Sequence, residues 1–147
     1  MARGIRLYEA DSTIEAVASL SKVVSANDTC YDGYLYRGWA YKSLNEYDKA
    51  TKDFTKLIYL KSNEETGYAN RASIYYLKGD YKNALVDYQK ALQINPKAKI
   101  LYNPISHMLF ITGQKDEACK YYQMSMEMGD STFNKSIIEY CRGKNFR

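Results

Sequence analysis

Tyr34-Leu35-Tyr36-Arg37-Gly38-Trp39-Ala40-Tyr41 returns 34 residues later as Tyr68-Ala69-Asn70-Arg71-Ala72-Ser73-Ile74-Tyr75. Another 34 residues on, Tyr102, Ser106 and Leu109 stand at the tyrosine, small and apolar places. The same interval links Ala16, Ala50, Ala84 and Ala118, and four residues after each stands a large side chain: Leu20, Phe54, Tyr88 and Tyr122. Between these two halves lie Asp11, Asn45, Gly79 and Gly113, residue types that turn a chain cheaply. A fixed period of this length marks a repeat architecture, and it has to be read before any single residue is.

Each half of the unit is helical. Tyr34, Gly38 and Tyr41, like Ala84, Tyr88 and Ala91, recur at intervals of three and four, which places them on one helix face. The small residue lets a neighbouring helix approach, and the large one fills the space opposite. Turns of a few residues force consecutive helices to run antiparallel. One such hairpin cannot bury both apolar stripes, whereas a stack of hairpins can, so the expected fold is an all-α solenoid.

Composition agrees. The chain has 147 residues, 46% of them hydrophobic and 26% charged, enough for a packed core and too apolar for wholesale disorder. Two prolines and eight glycines are too few for a many-turned sandwich. Twenty-one basic residues are interleaved with seventeen acidic ones for a net charge of +4, so no stripe for nucleic acid stands out. Glu9 and Asp11 interrupt any apolar run near the start, so neither a signal peptide nor a membrane span is expected there. Cys30, Cys119 and Cys141, odd in number and widely spaced, suit reduced thiols and an intracellular, cytoplasmic protein.

The succession of aromatic, small and aromatic places, then Ala-x3-aromatic and a late proline, resembles the tetratricopeptide repeat. The closest fit is Tyr68 to Pro96, through Ala72, Tyr75, Gly79, Tyr81, Ala84, Tyr88 and Ala91. The resemblance implies an α-α superhelix of about four hairpins in a single domain over 1–147, with repeats at about 1–30, 31–64, 65–98 and 99–130. Helices are expected over 2–10, 12–25, 30–44, 47–60, 64–78, 81–94, 99–112 and 115–128, with a capping helix over 131–142 that shields the end of the stack. Pro104 interrupts the seventh, and Asn103-Pro104 reads as a cap with proline at the first helical position, leaving 97–102 as a loop or single turn.

Arg37 and Arg71 are one repeat apart, as are Asp53 and Asp87 on the partner helix. In the next unit the two places hold Ile105 and Tyr121. Losing both charges together points to an Arg–Asp ion pair inside each repeat rather than to a ligand site.

In the resembled family the first helix of each unit lines the concave face. Carried over by register, that face holds Ile5, Tyr8, Leu35, Trp39, Lys42, Ala69, Asn70, Ser73, Tyr76, Leu77, Asn103, His107 and Phe110. Such an apolar and aromatic surface suits an extended peptide or an amphipathic helix. Trp39 reads as a binding hot spot, with packing at the seam between repeats as the alternative. Family members that hold chaperone C-terminal carboxylates do so with a clamp of lysines, asparagines and an arginine. At those places this chain has Leu35, Trp39, Asn70, Ile100 and Pro104, so that activity is not implied.

His107 is the sole histidine, no glycine-rich phosphate loop is present, and the acidic pairs Glu64-Glu65 and Asp116-Glu117 sit where helices begin. The expected function is therefore a non-catalytic protein-interaction module without cofactor, metal, nucleic acid or membrane. Trp39, Leu35, Tyr76 and Phe110 would supply apolar contact, and Asn70, Asn103, Ser73 and Lys42 would fix the partner's backbone. The alternative is a homo-oligomeric scaffold joined through the first hairpin or the groove.

Overall fold

A computed structural model describes residues 12–129 and 135–142 of the chain. In order, its helices are α1 (Thr13–Ala26), α2 (Tyr31–Ser43), α3 (Tyr47–Leu60), α4 (Glu65–Leu77), α5 (Tyr81–Ile94), a 3-10 turn (Lys99–Leu101), α6 (Tyr102–Ile111), α7 (Lys115–Glu127) and α8 (Lys135–Cys141). No strand occurs among the described residues. The expected helix 2–10, and the first residues of the expected cap, lie outside them.

The turns inside the hairpins repeat as faithfully as the sequence does. Asn45, Gly79 and Gly113 all have positive φ, at 59°, 77° and 90°. In each turn the residue after this one donates its N–H to the carbonyl five residues before it: Glu46 to Tyr41 at 2.9 Å, Asp80 to Tyr75 at 2.9 Å and Gln114 to Leu109 at 2.8 Å. That is a Schellman closure, which satisfies carbonyls the helix end leaves open. Asparagine can stand in for glycine because its short polar side chain tolerates the left-handed region.

The hairpins stack in chain order: α2 packs on α3, α4 on α5 and α6 on α7, with α1 against α2 and α3 against α4 forming the seams. Ala16, Ala50, Ala84 and Ala118 are all fully buried, as are Ala40, Ile74 and Met108, which share the same interval. Gly38 shows why a small residue is needed: a Cβ there would meet Phe54 Cε1 at 2.5 Å. At the matching place Ser106 is buried and satisfies its hydroxyl by donating to the Ala118 carbonyl at 2.8 Å.

The expected ion pairs are present. Arg37 donates from Nε to Asp53 Oδ2 at 2.8 Å and from Nη2 to Oδ1 at 2.7 Å. Arg71 repeats this on Asp87 at 2.7 and 2.9 Å. Each guanidinium also reaches the preceding unit, Arg37 to Ser21 Oγ at 3.3 Å and Arg71 to Thr55 Oγ1 at 3.2 Å. In the last unit Ile105 is fully buried and Tyr121 stands at the aspartate place, with Gln89 near its phenol at the same interval after Ser21 and Thr55.

Two expectations are corrected. Asn103 is not a cap and Pro104 is not the first residue of its helix: α6 starts at Tyr102, and Pro104 is its third residue. In a longer α-helix the proline ring would strike the Ile100 carbonyl, so residues 99–101 wind as a 3-10 turn instead. The second concerns the cysteines. Cys119 and Cys141 form a disulfide, with Cα atoms 5.4 Å apart, and only Cys30 is a free thiol. The two are far apart in sequence, but α8 folds back on α7 and sets Cys141 against Cys119 and Ile137 in one apolar cluster. Such pairs persist in oxidising compartments, so the reduced-thiol reading of the sequence does not hold for these two.

Candidate functional site

The first helices of successive units, α2, α4 and α6, share a face because every side chain has an equivalent on the next hairpin. Three hydrogen bonds tie this face together, and each spans 31 residues, one helical turn short of the repeat. Trp39 donates its indole N–H to Asn70 Oδ1 at 2.7 Å. Lys42 Nζ donates to Ser73 Oγ at 3.1 Å. The Tyr76 hydroxyl lies 3.3 Å from His107 Nδ1.

The acceptors are themselves held. Asn70 donates its amide to the Thr66 carbonyl at 2.8 Å, which turns Oδ1 toward the tryptophan. Ser73 donates its hydroxyl to the Asn70 carbonyl at 2.7 Å and so offers its lone pair to Lys42. Trp39 also meets the edge of Tyr36, with ring centroids 5.4 Å apart. The face is thus fixed by its own side chains, and Trp39 serves the seam and the surface at once.

Three depressions follow one another along it. The first, of about 490 Å³, is lined by Trp39, Lys42, Ser43, Asn45, Tyr47 and Leu77. The second, about 480 Å³, is lined by Lys42, Ala69, Asn70, Ser73 and Asn103, with Tyr88, Ile100, Leu101 and Pro104. The third, about 270 Å³, lies between Tyr76, Tyr88, Asn103, Pro104 and His107. Lys42 borders the first two, and Tyr88, Asn103 and Pro104 join the second to the third.

Of the residues expected on this face, Trp39, Lys42, Ala69, Asn70, Ser73, Tyr76, Leu77, Asn103 and His107 therefore line depressions. Leu35 instead packs against the core around Phe54 and Leu57. Phe110 turns toward the end of the stack, 5.7 Å from the Tyr140 ring of α8 and under the Lys115 ammonium at 5.1 Å. Ile5 and Tyr8 lie outside the described residues. Sequence reasoning named Ile100 and Pro104 only as places of the chaperone clamp, and it missed Tyr88, Ser43, Asn45, Tyr47 and Leu101, which also line the depressions. Tyr88 occupies the large-residue place of a second helix and reads as core, yet it lines the second and third depressions; burial pushes its phenol up to about 12. Ile100 is 77% exposed, an apolar side chain left on the rim.

The electrostatics are sparse. Burial pulls the Lys42 ammonium below the usual lysine range. Among the described residues no three His, Cys, Asp or Glu side chains gather as metal ligands, and no helix is long and apolar enough to cross a membrane. His107 has Tyr76 as its ring and hydrogen-bond neighbour.

Models of the tetratricopeptide repeat match residues 31–64 and 66–98. No curated protein matches the sequence. Among solved structures, a crystal structure of MamA superposes with a TM-score of 0.82 at 25% identity, covering 86% of this chain and 74% of that one. The Arabidopsis OM64 domain of the same repeat type gives 0.67 at 22% identity, over 71% and 87% of the two chains. YrrB, a repeat protein described as having an unusual peptide-binding site, gives 0.74 at 18% identity over 85% and 64%.

Proposed function

The chain belongs to the tetratricopeptide repeat family, whose repeats are protein-interaction modules, and on that premise we propose that it holds an extended peptide or an amphipathic helix on the face of α2, α4 and α6. The observation that carries this reading is the set of hydrogen bonds from Trp39 to Asn70, Lys42 to Ser73 and Tyr76 to His107. They immobilise the side chains of the face before any ligand arrives, so less free energy is lost to ordering on binding. Leu77, 46% exposed beside Trp39, and Ile100 on the rim give the partner apolar contact. The polar groups that remain around them are amides, hydroxyls, one imidazole and one ammonium, suited to a peptide backbone. YrrB, of the same fold, is a precedent for a peptide site on such a scaffold.

Trp39 is the sole tryptophan, so its emission reports on this face directly. Peptides selected on the purified chain should shift that emission on binding, and Leu77→Asp should weaken them by about tenfold or more while leaving helicity intact. Selected peptides that bind with unchanged Trp39 emission and full affinity for Leu77→Asp would refute the reading. A stable dimer in sedimentation that buries Trp39 would replace it with self-assembly.

A further inference from the structure

Among the described residues four lysines and arginines are withdrawn from full solvent exposure: Arg37, Lys42, Lys56 and Arg71. Three have a carboxylate: Asp53 for Arg37, Asp28 for Lys56 and Asp87 for Arg71. Lys42 has none of the described carboxylates within ion-pair distance, and its hydrogen-bond partner among the described residues is the neutral Ser73 hydroxyl. A cation taken partly out of water without an opposite charge is destabilising, and proteins normally pair or expose it. This one is the only charged side chain lining any of the three depressions.

We propose that Lys42 is the recognition site for an acidic side chain, Asp or Glu, within the segment bound on this face. The inference rests on the groove reading above and specifies the partner's chemistry. Position argues for an internal side chain rather than a chain end, because Lys42 stands between two depressions and the surface continues on both sides. Toward α3 lie Trp39 and Leu77; toward α6 lie Tyr88, Ile100 and Pro104. A fitting segment carries apolar residues before and after the acid. The carboxylate would accept a hydrogen bond from one N–H of the ammonium while Ser73 Oγ accepts from another, and the Asn70 and Asn103 side chains border the same space. The five places of the family's chaperone clamp hold no cation here, and Lys42 is none of them.

The test is a random peptide library panned on the chain in its wild-type, Lys42→Met, Lys42→Arg and Lys42→Glu forms. Wild type should select peptides with Asp or Glu at one fixed position flanked by apolar residues. These peptides should lose about tenfold to a hundredfold in affinity for Lys42→Met, the range of a charge-assisted hydrogen bond. Lys42→Arg should retain most of the affinity, and Lys42→Glu should select Lys or Arg at the same position. Circular dichroism confirms that each variant is folded. Peptides that shift Trp39 emission but carry no acidic preference, or bind Lys42→Met unchanged, overturn this assignment and leave the groove reading standing. Peptides that bind without affecting Trp39, or a failure to select any, defeat the groove reading and this assignment together.

Discussion

Breaking the Arg37–Asp53 pair from either side should cost far more than removing it whole. The Asp53 side chain is 5% exposed and that of Arg37 16%, so the two single variants differ. Arg37→Met strands a carboxylate that has lost both donors in a dry position, at a cost of about 3–4 kcal/mol. Asp53→Ala strands a guanidinium that keeps Ser21 and can lean to water, at about 2–3 kcal/mol. The double variant leaves no charge behind and forfeits mainly packing, about 1–2 kcal/mol. The coupling energy in the cycle is then about 3 kcal/mol or more, measured by urea unfolding followed by circular dichroism. Acid sharpens the test. Burial already raises the Asp53 carboxyl above its ordinary value against the pull of Arg37. Without Arg37 it rises further; a raised carboxyl favours the folded state at low pH and disfavours it as pH climbs, so Arg37→Met should recover stability on acidification. Single variants that each cost under about 1 kcal/mol and simply add would refute the reasoning. The chain's own last unit is a natural control, since Ile105 and Tyr121 take both places without charge.

Gly38→Ala gains about 1 kcal/mol of helix propensity, yet its methyl would strike the fully buried Phe54 ring, and a net loss of about 1–2 kcal/mol should appear as a lowered melting temperature. Tyr88 holds its proton to about pH 12 when folded and to about pH 10 when unfolded, so it contributes a loss of up to about 2–3 kcal/mol as pH rises through that window; Tyr88→Phe should flatten the alkaline arm of the stability curve. The unreduced, denatured chain should show one reactive thiol, Cys30, and three after reduction. Cys141→Ser opens a loop spanning 22 residues, costs about 3 kcal/mol, and should raise hydrogen exchange in α7 and α8 first.

The features legible in the sequence are those the period dictates. Asn45, Gly79 and Gly113 stand one repeat apart, and a turn of fixed length needs the same backbone there, so their positive φ follows from spacing. The Arg–Asp pairs were readable because both partners vanish together in the last unit. Features set by how one unit meets the next were not readable. The bond from Trp39 to Asn70 depends on a register of 31 residues, which the repeat of 34 conceals. Tyr88 looks like core filling until the depressions it lines, beside residues of α4 and α6, are seen. Cys119 and Cys141 become partners only once a short helix outside the period has folded back. For Pro104 the sequence showed that the helix is disturbed and that a single turn precedes it, as the 3-10 turn Lys99–Leu101 does, but it set the helix start two residues late because the turn runs directly into Tyr102.

That winding bears on how the molecule deforms. The contact of α5 with α6 is thinner than that of α3 with α4, the guanidinium bridging earlier units is replaced by Ile105, and the inner bond, Tyr76 to His107, is the longest of its set. Elastic compliance is consequently uneven: a load that opens or tightens the spiral is taken up first at the proline-led unit, which can hinge against a stiffer front half while Trp39 and Lys42 keep their places.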